Sequence, residues 1–155
     1  MLKEGGEQHD PAHAMDCLVC AYLQLAQDKE VRAVVDELTK LEFKIERFPG
    51  PYAVAASQAR YVFERGDWKA AAELQVRPTK YLYVDVITYF GRAVGAAPSG
   101  NANAAKADIA NLVALRDKLK EAKDAYWSNI VDSSSRARAR GSCTPKGNAM
   151  RRSMR

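Results

Sequence analysis

The chain has 155 residues, 47% of them hydrophobic and 28% charged. That is enough apolar material for one modest buried core and too much for a disordered chain. Its longest apolar stretches, 12–26 and 84–97, are interrupted by Asp16 and by Asp85 and Arg92, so no membrane span is predicted. The formal charge of +5 is unevenly placed: residues 133–155 hold seven basic side chains and no acid, leaving 17 basic against 19 acidic residues in the first 132. The body is slightly acidic, which argues against a nucleic-acid footprint spread over the fold.

Residues 1–11 carry acids and glycines with no apolar segment behind a basic start, so a cytoplasmic chain without a secretory signal is expected. Asp10-Pro11 reads as a helix start, with the apolar spacing Met15, Leu18, Val19, Tyr22, Leu25 behind it. His9 then lies outside the helix, which removes it as a metal partner for His13 four residues on. Cys17 and Cys20 have a redox spacing but sit mid-helix, and with Cys143 as the third cysteine there is no second pair for a zinc site. After Gln27-Asp28 the spacing Val31, Val34, Val35, Leu38, Leu41, Ile45 predicts a second, antiparallel helix.

Phe48-Pro49-Gly50-Pro51 reads as a terminator, with a third helix from Tyr52 to Gly66 and a short fourth, capped by Asp67, that turns Trp68, Ala71 and Leu74 inward. Val86, Tyr89, Phe90, Ala93, Val94 and Ala97 keep helical spacing, so Tyr81–Ala97 is a fifth helix despite its β-branched content. Beyond the turn Pro98-Ser99-Gly100-Asn101, a long sixth helix is predicted from Ala102 to Val131. From Ser133 the composition turns to Ser, Arg, Gly, Lys and Pro, which predicts a disordered basic tail, 133–155.

Six helices in three hairpins, about 11–46, 52–76 and 81–131, invite a search for a period. Small residues at Ala26, Gly66 and Gly100 mark the bends, separated by 40 and 34 residues. The second spacing is that of a tetratricopeptide repeat, about 34 residues. With these marks, His13–Asp28 and Ala59–Ala72, Gly66-Asp67-Trp68 above all, resemble a bacterial group of tetratricopeptide-repeat proteins of undefined function. The resemblance covers about 9–132. It implies an all-α fold of antiparallel helix-turn-helix hairpins stacked as a right-handed superhelix, and a section of a longer repeat array. It also implies a scaffold that binds a protein, a peptide or a partner helix on its concave face; the residues hold no phosphate loop, nucleophile elbow or zinc-protease motif, so neither enzymatic activity nor a cofactor is expected.

Carried over position by position, the first helix of each hairpin offers His13, Asp16 and Gln24, then Arg60 and Glu64, and in the third hairpin mainly apolar Phe90 and Val94. Tyr126-Trp127 could serve self-association through an exposed terminal helix. Two other functions are weighed. Arg136, Arg138, Arg140, Arg151 and Arg152 could meet nucleic-acid phosphates, but no aromatic side chain accompanies them for base stacking. A ligand-sensing repeat domain would show itself by a cavity with polar groups in its wall.

Overall fold

The computed structural model describes residues 9–43, 47, 49–77 and 79–141, and these contain seven helices and no strand. They are α1 (His9–Gln24), α2 (Asp28–Leu38), α3 (Pro49–Glu64), α4 (Trp68–Ala72), α5 (Leu82–Ala96), α6 (Ala102–Glu121) and α7 (Ala125–Gly141).

One elbow recurs four times. Ala26, Gly66, Gly100 and Lys123 all hold left-handed backbone, with φ of 54°, 63°, 77° and 59°. In each case the next amide reaches back five residues to a helix carbonyl: Gln27 to Tyr22, Asp67 to Val62, Asn101 to Ala96 and Asp124 to Leu119. The left-handed residue's own amide reaches back three, from Ala26 to Leu23 and from Gly66 to Phe63, so the last helical carbonyls are satisfied without water. The residue after each elbow opens the next helix. Asp67, Asn101 and Asp124 each accept a hydrogen bond from the amide three residues on, at 3.0, 3.0 and 3.1 Å.

Three marks expected from small side chains are therefore real bends, and Lys123 is a fourth that carries no glycine. It divides the predicted sixth helix into α6 and α7. α7 also continues to Gly141, through the start of the predicted disordered tail, because 133–141 holds alanine and arginine with no proline before position 145. The rest of that tail lies outside the described residues.

Other boundaries move for local reasons. α1 includes His9, two residues ahead of Pro11, whose missing N–H costs nothing in a first turn. α3 begins at Pro49, so the Pro-Gly-Pro run starts a helix instead of ending one, both prolines sitting where amides have no helical partner. α2 stops at Leu38, seven residues short of Ile45. There the Thr39 hydroxyl donates to the Asp36 carbonyl, Lys40 and Leu41 close tight turns onto Glu37 and Leu38, and Arg77 takes the Thr39 carbonyl. Ile45 lies outside the described residues. Leu41 and Phe43 pack on the core from outside any helix, and Trp68 stays 40% exposed at the start of α4 instead of turning inward.

Each helix packs on its neighbour in sequence, and each odd-numbered helix packs on the next odd one: α1 on α3, α3 on α5, α5 on α7. Among the described residues no even-numbered helix lies against another even one. Val19, Val31, Leu38 and Val62 centre one apolar cluster across α1–α4; Leu112, Leu115, Leu119 and Val131 centre a second across α5–α7. Gly95 joins them, because a side chain there would stand 2.5 Å from the Trp68 carbonyl and the Ala72 amide of α4.

Candidate functional site

Ion pairs clasp successive helices, and two of the predicted contact residues belong to them. The Asp16 carboxylate, 6% exposed on α1, accepts from the Ser57 hydroxyl at 2.8 Å and from Arg60, both on α3. Burial is the largest influence and works against the Arg60 charge, but the hydrogen bond to Asp16 and the nearby charges of Asp16, Cys20 and Tyr52 together outweigh it, and the guanidinium pKa stands above its ordinary value. Asp16 and Arg60 therefore hold α1 to α3, and Asp16 faces α3 and not His13. Arg65 reaches Asp28 in the same way, Arg92 on α5 reaches Asp108 on α6 at 3.1 Å, and Arg116 on α6 reaches Asp132 on α7 at 3.0 Å. Hydrogen bonds that Arg116 donates to Asp117 and then to Asp132 raise its pKa.

His13 and Gln24 remain exposed along one side of α1, with Cys17 between them. Glu64 is exposed at the end of α3, beside a shallow depression formed with Leu23, Ala26, Val31 and Arg65. The five predicted residues therefore do not converge on one site.

α3, α5 and α7 also carry apolar side chains that are only partly covered, although Tyr83 and Phe90 pack in part against the second cluster. On α5 the opposite side is committed: Gly91 and Gly95 approach α3 and α4, and Arg92 turns to α6. Tyr83, Ile87, Phe90 and Val94, spaced one helical turn apart, are half-buried on the remaining side. Tyr52 is half-buried on α3, and on α7 Tyr126 is 68% exposed and Ile130 38%. Tyr83 and Trp127 stack at 4.4 Å with planes 8° apart, tying α5 to α7, and Tyr126 meets Trp127 edge-on at 5.1 Å. Burial, with smaller contributions from Tyr81 and Asp124, pushes the Tyr83 phenol pKa up. The predicted Tyr126-Trp127 anchor thus splits: Trp127 packs within the chain, and Tyr126 extends the open side.

Phe90 and Val94 stand among the candidates read from the sequence; Tyr83, Ile87 and Tyr52 do not. The signal for the first two is the spacing 83, 87, 90, 94, which runs beside the buried stripe of the same helix.

Opposite this side, a groove of about 360 Å³ runs between α2 and α4 over Tyr61, which lies beneath Arg32 and Arg65 at 6.0 and 5.2 Å. Its arginines are engaged, Arg32 with Asp36 at 3.0 Å and Arg65 with Asp28. Among the described residues no group of three metal-binding side chains comes together, and no helix is long and apolar enough to cross a membrane.

Comparison with protein-family models, with curated proteins and with solved structures found no match.

Proposed function

We propose that the chain is an interaction module of stacked helical hairpins, arranged as a tetratricopeptide-like right-handed superhelix, that holds a peptide or partner helix along the open side of its odd-numbered helices. The observation that carries it is the neighbour pattern: odd helices in one continuous row, even helices apart. Helices closer on one side than on the other curve an array toward the closer side, and hairpin repeats present such a concave surface to partners. In this arrangement α7 is the first helix of a fourth hairpin.

The open side is graded. Exposed His13 and Gln24 lie at the α1 end, and Tyr83, Ile87, Phe90, Val94, Tyr126 and Ile130 lie on α5 and α7. A fitting partner is an amphipathic helix whose apolar anchors fall at i, i+3 or i+4, and i+7, seated on α5 and α7 with a polar end over α1. Aromatic side chains that are half-buried before binding lose little conformational freedom on contact, which suits them as anchors.

Selection of displayed peptides on the immobilised chain tests this directly. Selected sequences should share helical apolar spacing, and Ile87→Glu should weaken their binding by about tenfold or more while Lys69→Glu, on α4, leaves it unchanged. Peptides that bind Ile87→Glu as well as the parent chain would overturn the proposed surface.

A further inference from the structure

Described parts of the segments after α2 and after α4 lie beside α3 and α5 around a cavity of about 170 Å³. Leu41 and Phe43 come from the first segment, Arg77 from the second, Val54 from α3, and Val84 and Thr88 from α5. An apolar space of about 150 Å³ accommodates a benzene ring, so the size suits one six-membered ring or a short branched chain.

Two polar groups in its wall are open to a ligand, one a buried hydroxyl and the other an exposed guanidinium. Thr88 is 6% exposed, yet its hydroxyl makes no hydrogen bond among the described residues. A helical threonine commonly donates to the carbonyl one turn back, and a buried hydroxyl left without a partner is destabilising. Arg77, at the solvent side, donates one Nη2 hydrogen bond to the Thr39 carbonyl at 2.5 Å. None of its other N–H groups meets a carboxylate among the described residues, and no acidic side chain lines the cavity there. The other interhelical arginines, Arg60, Arg65, Arg92 and Arg116, each hold an aspartate.

We propose that this cavity binds a small monocarboxylate with an apolar body of about six carbons. The carboxylate pairs with Arg77, the body lies against Phe43, Val54 and Val84, and a ligand oxygen accepts from the Thr88 hydroxyl. A guanidinium with free N–H groups in a planar fork matches a carboxylate's two oxygens. An amine of the same size would set like charge against Arg77, and a plain hydrocarbon would leave both polar groups as they are. The site is independent of the open side of the odd helices, so either can fail alone.

The probe is sodium benzoate, added to about 10 mM to the full chain carrying 13C-labelled methyl groups. Benzoate should shift the methyl signals of Thr88, Val54 and Val84 with a Kd of about 1 mM or tighter, while benzylamine leaves them in place. Arg77→Gln should raise the Kd about tenfold. Because Arg77 also holds the Thr39 carbonyl, Thr88→Val gives a second arm: it should melt at a higher temperature without ligand, having lost an unsatisfied hydroxyl, and should bind benzoate several-fold more weakly. Unmoved methyl signals, equal shifts with benzylamine, or full benzoate affinity in Thr88→Val would each overturn the proposal.

Discussion

The approach of α4 to α5 depends on a missing side chain, and Gly95→Ala tests it against an internal control. A Cβ at position 95 would stand 2.5 Å from the Trp68 carbonyl oxygen, 2.5 Å from the Ala72 amide nitrogen and 2.6 Å from the Ala71 Cβ. Two of these atoms are backbone, so α4 must move as a body, and an overpacked contact of this kind costs about 3 kcal/mol. Alanine is about 1 kcal/mol better than glycine inside a helix, which leaves a net loss of about 2 kcal/mol. At Gly91, on the same helix, the new Cβ would meet the Leu74 Cδ1 at 2.9 Å and the Phe63 Cζ at 3.6 Å, both tips of side chains that can rotate. There the same helical gain offsets a small repacking cost, and Gly91→Ala should lie within about 0.5 kcal/mol of the parent chain. Urea unfolding followed by circular dichroism gives both values, provided the slope with denaturant is unchanged. Equal losses at the two positions, or none at Gly95, would refute the close approach of α4.

Asp16→Ala should cost about 3 kcal/mol, since it strands the partly buried Arg60 guanidinium and the buried Ser57 hydroxyl, whereas Ser57→Ala alone should cost about 1 kcal/mol. A double-mutant cycle by urea unfolding measures the coupling, and independent effects would dissolve the clasp. Lys123→Gly and Ala26→Gly relieve left-handed backbone at two elbows and should each add about 0.5–1 kcal/mol, seen as a rise of a few degrees in melting temperature; a fall in both would contradict the observed φ. Below pH 10 the Tyr83 phenol is protonated whether folded or not; above it the unfolded chain ionises first, because burial holds the folded pKa higher. Stability should therefore fall as pH rises from about 10, and Tyr83→Phe should flatten that fall; thermal melts at pH 8 and about 11 read both.

The sequence made the helical class and three of the four elbows legible, because the elbow is a local device. Gly66 and Gly100 announce left-handed backbone, and Asp67 and Asn101 announce the next helix. Lys123 escaped because nothing in its side chain favours the bend, although Asp124 beside it is the cap of α7. The proline run misled because proline is equally compatible with the first turn of a helix and with the region after its end, and only packing decides between them. Asp16 and Arg60 were chosen as contact residues from their place on the first helix of each hairpin, but their partners are 41 and 44 residues away in sequence. No local pattern shows that pairing. The same limit hid the contact of Gly95 with α4 and the convergence of Leu41, Phe43 and Arg77.

The elbows and the segments between hairpins have had different freedoms. Each elbow uses two residues and one pair of backbone hydrogen bonds, so its length cannot drift without breaking the bend. The stretches after α2 and α4 are longer than an elbow, and the cavity borrows Leu41, Phe43 and Arg77 from them. Lengthening or recomposing those stretches would remodel what the cavity admits while leaving the stacking of the rods untouched, so chemical selectivity there can diverge faster than architecture.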